Sequence, residues 1–197
     1  MEWRELAFSD MNMSSRAVEL SQHERACSLE RLRFDRCQLE GRAATALAAS
    51  PCMGALEEFG VSDNIASTFV SRLVRTAAYV GSFPRLRALD LSSTNLQAGD
   101  TDGLLAWIER SPIESLDLSM APTVDAFVRA LPQAPAFPRL RRVGVMGSLS
   151  DLDVLAWLID APGASDELRA HALEQLCDMS RPQIRLVHDR DQLGLPF

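Results

Sequence analysis

Lysine is absent from this chain: all 20 of its Lys/Arg positions are arginine. A genome rich in G and C accounts for that usage, and so does selection for bidentate contacts to carboxylates or phosphates. Basic residues are outnumbered by 27 acidic ones, and the net charge of −7 argues against nucleic acid as a partner. No apolar run approaches the length needed to cross a bilayer, so membrane insertion is not expected. The opening residues, MEWRELAF, are charged from the second position and lack the basic-then-apolar order of a secretion signal. Cys27, Cys37, Cys52 and Cys177 form no C-x-x-C pair, so reduced thiols in a cytoplasmic protein are the expectation. His23, His171 and His188 match no metal-ligand spacing. A G-x-S-x-G elbow, a phosphate-binding glycine loop and a patterned Cys–His pair are all missing, so neither catalytic residues nor a cofactor are expected.

What the chain does have is a repeat. The pattern Leu-x-x-Leu-x-Leu, then a polar turn and a helical segment, recurs six times. Its clearest copy is Leu86–Leu96 (LRALDLSSTNL). The frame also fits Leu29–Leu39, Leu56–Ala66, Ile113–Thr123 and Leu140–Ser150, with a worn copy at Trp3–Met13. The copies begin at 3, 29, 56, 86, 113 and 140, giving steps of 26, 27, 30, 27 and 27. Within a copy, Leu89 and Leu91 are two apart and share one face of a short strand, while Ala88, Asp90 and Ser92 share the other. Helices are expected near 15–26, 41–50, 67–79, 99–110, 123–131 and 150–160. No copy can bury its own leucines, so the copies must stack into one core.

This spacing, with a helix in each unit, resembles the ribonuclease-inhibitor-like class of leucine-rich repeat proteins. The resemblance implies an α/β solenoid, a horseshoe arc with an inner parallel sheet and outer helices. Residues 1–160 would hold six repeats, and 161–197 a C-terminal helical cap with a short strand and a tail. Ser165 reads as the N-cap of a helix over 166–179, and Ile184–Val187 as the strand. At the ninth place stand Met11, Cys37, Asn64, Thr94, Ala121 and Ser148. Cys37 and Asn64 fit the class there, so Cys37 should be buried and inert, and turn bonding should be irregular near Ala121-Pro122. No comparable cap precedes Trp3, which leaves the N-terminal edge open to a partner or to self-association.

Outward strand positions of successive repeats form rows. The second place reads Arg4, Glu30, Glu57, Arg87, Glu114, Arg141, and the third reads Glu5, Arg31, Glu58, Ala88, Ser115, Arg142. Their alternating signs predict lateral pairing that fixes register. The fifth place reads Ala7, Arg33, Gly60, Asp90, Asp117, Gly144. Asp90 and Asp117 then adjoin without a basic neighbour, flanked by glycines. Two carboxylates so placed repel by about 3 kcal/mol at an effective dielectric near 20, and by less when hydrated. With Ser92, Ser119 and Asp35 at the seventh place they form an acidic, hydroxyl-lined patch. One reading is a common strand spelling with hydrated carboxylates; the other is a dock for an Arg or Lys of a partner. Arginines at 31, 33 and 36, and at 139, 141 and 142, are candidate anion holders or paired surface charges. Trp107 and Trp157 sit at equivalent helix sites, which favours core packing.

The first expectation is therefore a non-enzymatic protein-binding scaffold using the strand face and the open N-terminal edge. Its partner-binding set is Asp90, Asp117, Ser92, Ser119, Arg33, Asp35, Arg31, Glu58 and Arg142. The resemblance also implies a second: Ran GTPase-activating proteins share this repeat class, and Arg31 or Arg36 would be the first residues to act. A third is a structural subunit joined through its ends.

Overall fold

The computed structural model describes residues 3–64, 67–122, 124–147 and 151–180. Six strands form one wholly parallel sheet in chain order. They are β1 (Glu5–Ser9), β2 (Arg31–Asp35), β3 (Glu58–Gly60), β4 (Ala88–Asp90), β5 (Ser115–Asp117) and β6 (Arg142–Gly144). A helix follows each strand: α1 (Ser14–Gln22), α2 (Gly41–Ala49), α3 (Ser67–Val80), α4 (Thr101–Arg110), α5 (Val124–Ala130) and α6 (Asp151–Asp160). A further helix, α7 (Asp166–Ser180), comes last. None of the described helices is long and apolar enough to cross a membrane. The strand expected at Ile184–Val187 and the tail after it lie outside the described residues.

Register follows the repeat count. Leu6, Leu32, Phe59, Leu89, Leu116 and Val143 align across the sheet and face the helices. Leu29, Leu56, Leu86, Ile113 and Leu140, one for each repeat after the first, are fully buried beneath them. Through this core runs a spine of rings: Phe8, Phe34, Phe59, Phe83 and Trp107, with successive centroids 5.4–6.4 Å apart. Trp107 is fully buried and Trp157 packs partly buried against the same core, as their equivalent positions suggested.

The turn after each strand is held by main chain. Asp10, Arg36, Asp63, Ser93, Met120 and Gly147 all have φ between 49° and 88°, one per repeat. The N–H of each of the first five donates to a carbonyl of the next turn, at 2.7–3.2 Å. Regularity therefore persists at Met120, beside the Ala121-Pro122 position where irregularity was expected. The side-chain contribution does vary. Asn64 donates to the Phe34 and Ser62 carbonyls, Cys37 to that of Phe8, and Thr94 only to that of Leu91 within its own turn.

Two expectations need correction. Helix α1 stops at Gln22 rather than 26, because His23 is extended and its Nδ1 accepts from the Arg25 N–H, starting a 3-10 turn over Glu24–Ser28. Nor are all four thiols reduced: Cys27 is bonded to Cys52, 25 residues on, in the equivalent 3-10 turn Pro51–Ala55. A separation close to one repeat sets equivalent positions side by side, so no C-x-x-C spacing is needed. One ground for expecting a reducing compartment is thereby removed. Cys37 is buried, and that burial pushes its thiol pKa up.

Helix α7 lies against the outer edge of β6. Ser165 Oγ accepts from the Leu168 N–H, which fixes the helix start. Leu168 and Ala172 are buried, and between their turns and the sheet stands Gln175. Its amide donates to the Val143 carbonyl at 2.9 Å and accepts from the Val145 N–H at 3.2 Å. One side chain thus gives the edge strand the partners a further strand would supply.

Candidate functional site

The open face of the sheet, opposite the helices, carries the rows read from the sequence. Most of its charges neutralise each other laterally. Arg4 meets Glu30 at 3.2 Å, Arg31 meets Glu5 at 3.2 Å and Glu58 at 3.3 Å, and Glu114 stands between Arg87 and Arg141 at 3.1 and 3.6 Å. Glu57 and Arg87, the remaining opposite-sign neighbours of the second row, form no ion pair. Arg36 is chelated by Asp10 at 2.6 and 2.9 Å and lies 3.9 Å from Asp63. The hydrogen bond from Arg36 holds the Asp10 carboxyl below its ordinary pKa, and the same bond raises that of Arg36. The guanidiniums of Arg31 and Arg36, candidates for work on a GTPase, are each already engaged by two carboxylates.

The fifth row differs. Asp90 and Asp117 are direct register partners, with Gly60 beside Asp90 and Gly144 beside Asp117. Neither carboxylate meets a cation among the described residues. Each spends one oxygen on its own chain: Asp90 Oδ1 accepts from the Ser92 N–H and Asp117 Oδ1 from the Ser119 N–H, both at 2.9 Å. These local bonds orient the carboxylates and leave their other oxygens uncommitted to any donor among the described residues.

The glycines make room. A Cβ on Gly144 would fall 2.4 Å from Asp117 Oδ1, and one on Gly60 would press on Arg33 Cγ at 3.3 Å. Above Gly60 lies a hollow of about 180 Å³, lined by Arg33, Glu58, Ala88, Asp90, Ser115 and Asp117 over a floor of Phe59 and Leu89. Arg33 stands on its far wall, its Nη2 3.8 Å from Glu58 Oε2.

Of the expected binding set, then, Arg33, Glu58, Asp90 and Asp117 come together here. Asp35 is occupied by the Ser62 hydroxyl at 2.5 Å. Ser92 and Ser119 serve as backbone donors to the aspartates, and the Ser119 hydroxyl accepts from the Met146 N–H. Arg31 stands outside the hollow between its two glutamates. Arg142, although the register partner of the lining residue Ser115, does not line the hollow and borders a separate depression with Arg141, Glu167, His171 and Glu174. Of its neighbours, Arg139 is no anion holder: its guanidinium caps α4, donating to the carbonyls of Ile108, Ser111 and Ile113. Ser115 was missed as a lining residue, although it shares the outward parity of Asp117 on the same strand.

No protein-family model matches the chain, and no curated protein matches it.

Proposed function

We propose that this chain is a leucine-rich-repeat solenoid whose six coils curve into an arc, and that it serves as a non-enzymatic protein-binding scaffold. Helices are wider than the roughly 4.8 Å strand spacing, so a stack of strand-plus-helix units bends with its strands inside. The open face of the sheet is then concave and displays the hollow at its centre.

The observation that carries the reading is the Asp90–Asp117 pair. Its carboxylates adjoin without a cation among the described residues, in a face whose other charges are largely paired, and glycines on both sides leave them approachable. A guanidinium or ammonium group from a partner would relieve the repulsion and use the uncommitted carboxylate oxygens. Glu58 adds a third carboxylate at the rim, and Arg33 limits how far a cation can travel along the row.

The test is capture of partners from native lysate by the wild-type chain and by two variants. Asp90→Asn/Asp117→Asn removes the charge while keeping the backbone acceptors. Gly144→Ala displaces the Asp117 carboxylate without changing any charge. Both variants should fold, by circular dichroism, and lose a partner that the wild type retains. Undiminished capture by both would show that the contact lies elsewhere.

A further inference from the structure

The two edges of the sheet are treated differently. At β6 the edge is satisfied by Gln175. At β1 nothing among the described residues pairs with the outer edge. The Arg4 carbonyl accepts from the Arg31 N–H, and the Asp10 N–H donates to the Asp35 carbonyl, so both point inward to β2. Alternation along the strand then aims the N–H and C=O groups of Glu5, Ala7 and Ser9 away from the sheet. Apart from the charge of Glu5, the edge lacks the usual defences: β1 holds no proline and no lysine, and no helix among the described residues covers it. Beneath it, Leu6 and Phe8 are only half-buried, although their equivalents Leu32 and Phe34 are completely enclosed.

We propose that β1 is the surface through which two copies of this chain associate, their β1 strands pairing antiparallel about a two-fold axis at Ala7. This register is selected by the residues it brings together. Glu5, Ala7 and Ser9 are the outward-bonding positions, and only pairing centred on Ala7 matches all three with outward-bonding positions of the second copy: Ser9, Ala7 and Glu5. The same register sets Leu6 against Phe8, which encloses the exposed end of the core from both sides. It also sets Arg4 against Asp10, whose side chains are 74% and 63% exposed and able to take a second partner. Centring on Leu6 would put Arg4 against Phe8, and centring on Phe8 would put Leu6 against Asp10. Both alternatives lose the charge match and a pair of strand hydrogen bonds. The association is independent of cation docking at Asp90 and Asp117.

The test uses the full chain in solution and five substitutions. Light scattering should give a two-chain mass that dissociates on dilution. In a Cys177→Ser background, Ala7→Cys should cross-link to itself under mild oxidation, since paired Cα atoms of this kind lie about 5.5 Å apart. Glu5→Cys should not, because its counterpart is Ser9; mixed with Ser9→Cys it should. Ala7→Glu sets like charges opposite each other across the axis and should raise the dimer dissociation constant by up to about fivefold. Within its own chain that glutamate adjoins Arg33, so the fold should be retained. A monomeric mass at every concentration would overturn the proposal. So would self-cross-linking of Glu5→Cys equal to that of Ala7→Cys, or a dissociation constant unmoved by Ala7→Glu.

Discussion

Replacing Gln175 with leucine isolates the contribution of the amide that closes the sheet. Leucine has a similar size and suits a site only 8% exposed, so the apolar packing around Leu168 and Ala172 is kept. What disappears is a pair of hydrogen bonds, to the Val143 carbonyl and from the Val145 N–H. Both backbone groups are left buried against a side chain that cannot bond them. Each such orphan costs about 1–3 kcal/mol, so the substitution should destabilise by about 2–6 kcal/mol. In a domain of this size that is a fall in Tm of roughly 4–24 °C. Stacked units open from their ends, so the loss should show first at α7 and β6. Thermal unfolding followed by circular dichroism gives the first number, and amide hydrogen exchange at Val145 gives the location. Glu174→Ala, at a neighbouring side chain 75% exposed, is the control and should change little. A Tm within about 1 °C of wild type, with Val145 still protected, would refute the reasoning: apolar packing alone would then hold the edge.

Three other outcomes are expected. Phe59→Ala interrupts the spine between Phe34 and Phe83 and should cost about 3–5 kcal/mol in urea unfolding, as for other buried phenylalanines. Gly147→Ala forces a Cβ to within 1.8 Å of Met120 Sδ at φ +88° and should be destabilising, by about 1–2 kcal/mol for the left-handed backbone alone; pairing it with Met120→Gly should recover the part due to the clash. Asp10 titrates below its ordinary value of 3.8 because Arg36 bonds its charged form, so its contribution to stability is complete above that value and is lost as pH falls through the lower folded value. Melting curves between neutral pH and pH 2 should therefore fall less steeply on the acid side in Asp10→Asn, and identical slopes would contradict the assignment.

The features legible in the sequence were those that depend on counting. A step of 27 from Asp90 to Asp117 is enough to make them lateral neighbours, and the helices followed at nearly the expected positions because each copy places its apolar residues the same way. Features that depend on local geometry were not legible. Cys27 and Cys52 meet only because the chain makes matching 3-10 turns after α1 and α2. Five of the six left-handed turn positions are occupied by Asp, Arg, Ser or Met and only that of the last repeat by glycine, so glycine did not mark them as a row. Phe83 and Trp107 stand outside the strand frame, and their membership of the spine appears only once the helices are packed. Arg139 looked like a member of a cationic cluster because sequence alone does not show that the carbonyls ending α4 point at it. Gln175 was one polar residue on a helix; its meaning came from the strand edge it faces.

A photo-reactive side chain at Ser115, on the wall of the hollow beside both aspartates, tests the docking claim most directly. After irradiation in native lysate, mass spectrometry of the cross-linked peptide should find a segment of another protein with an arginine or lysine next to the linked residue, and Asp90→Asn/Asp117→Asn should abolish it. A cross-linked segment with no basic residue, or one whose yield ignores the loss of both carboxylates, would contradict the account.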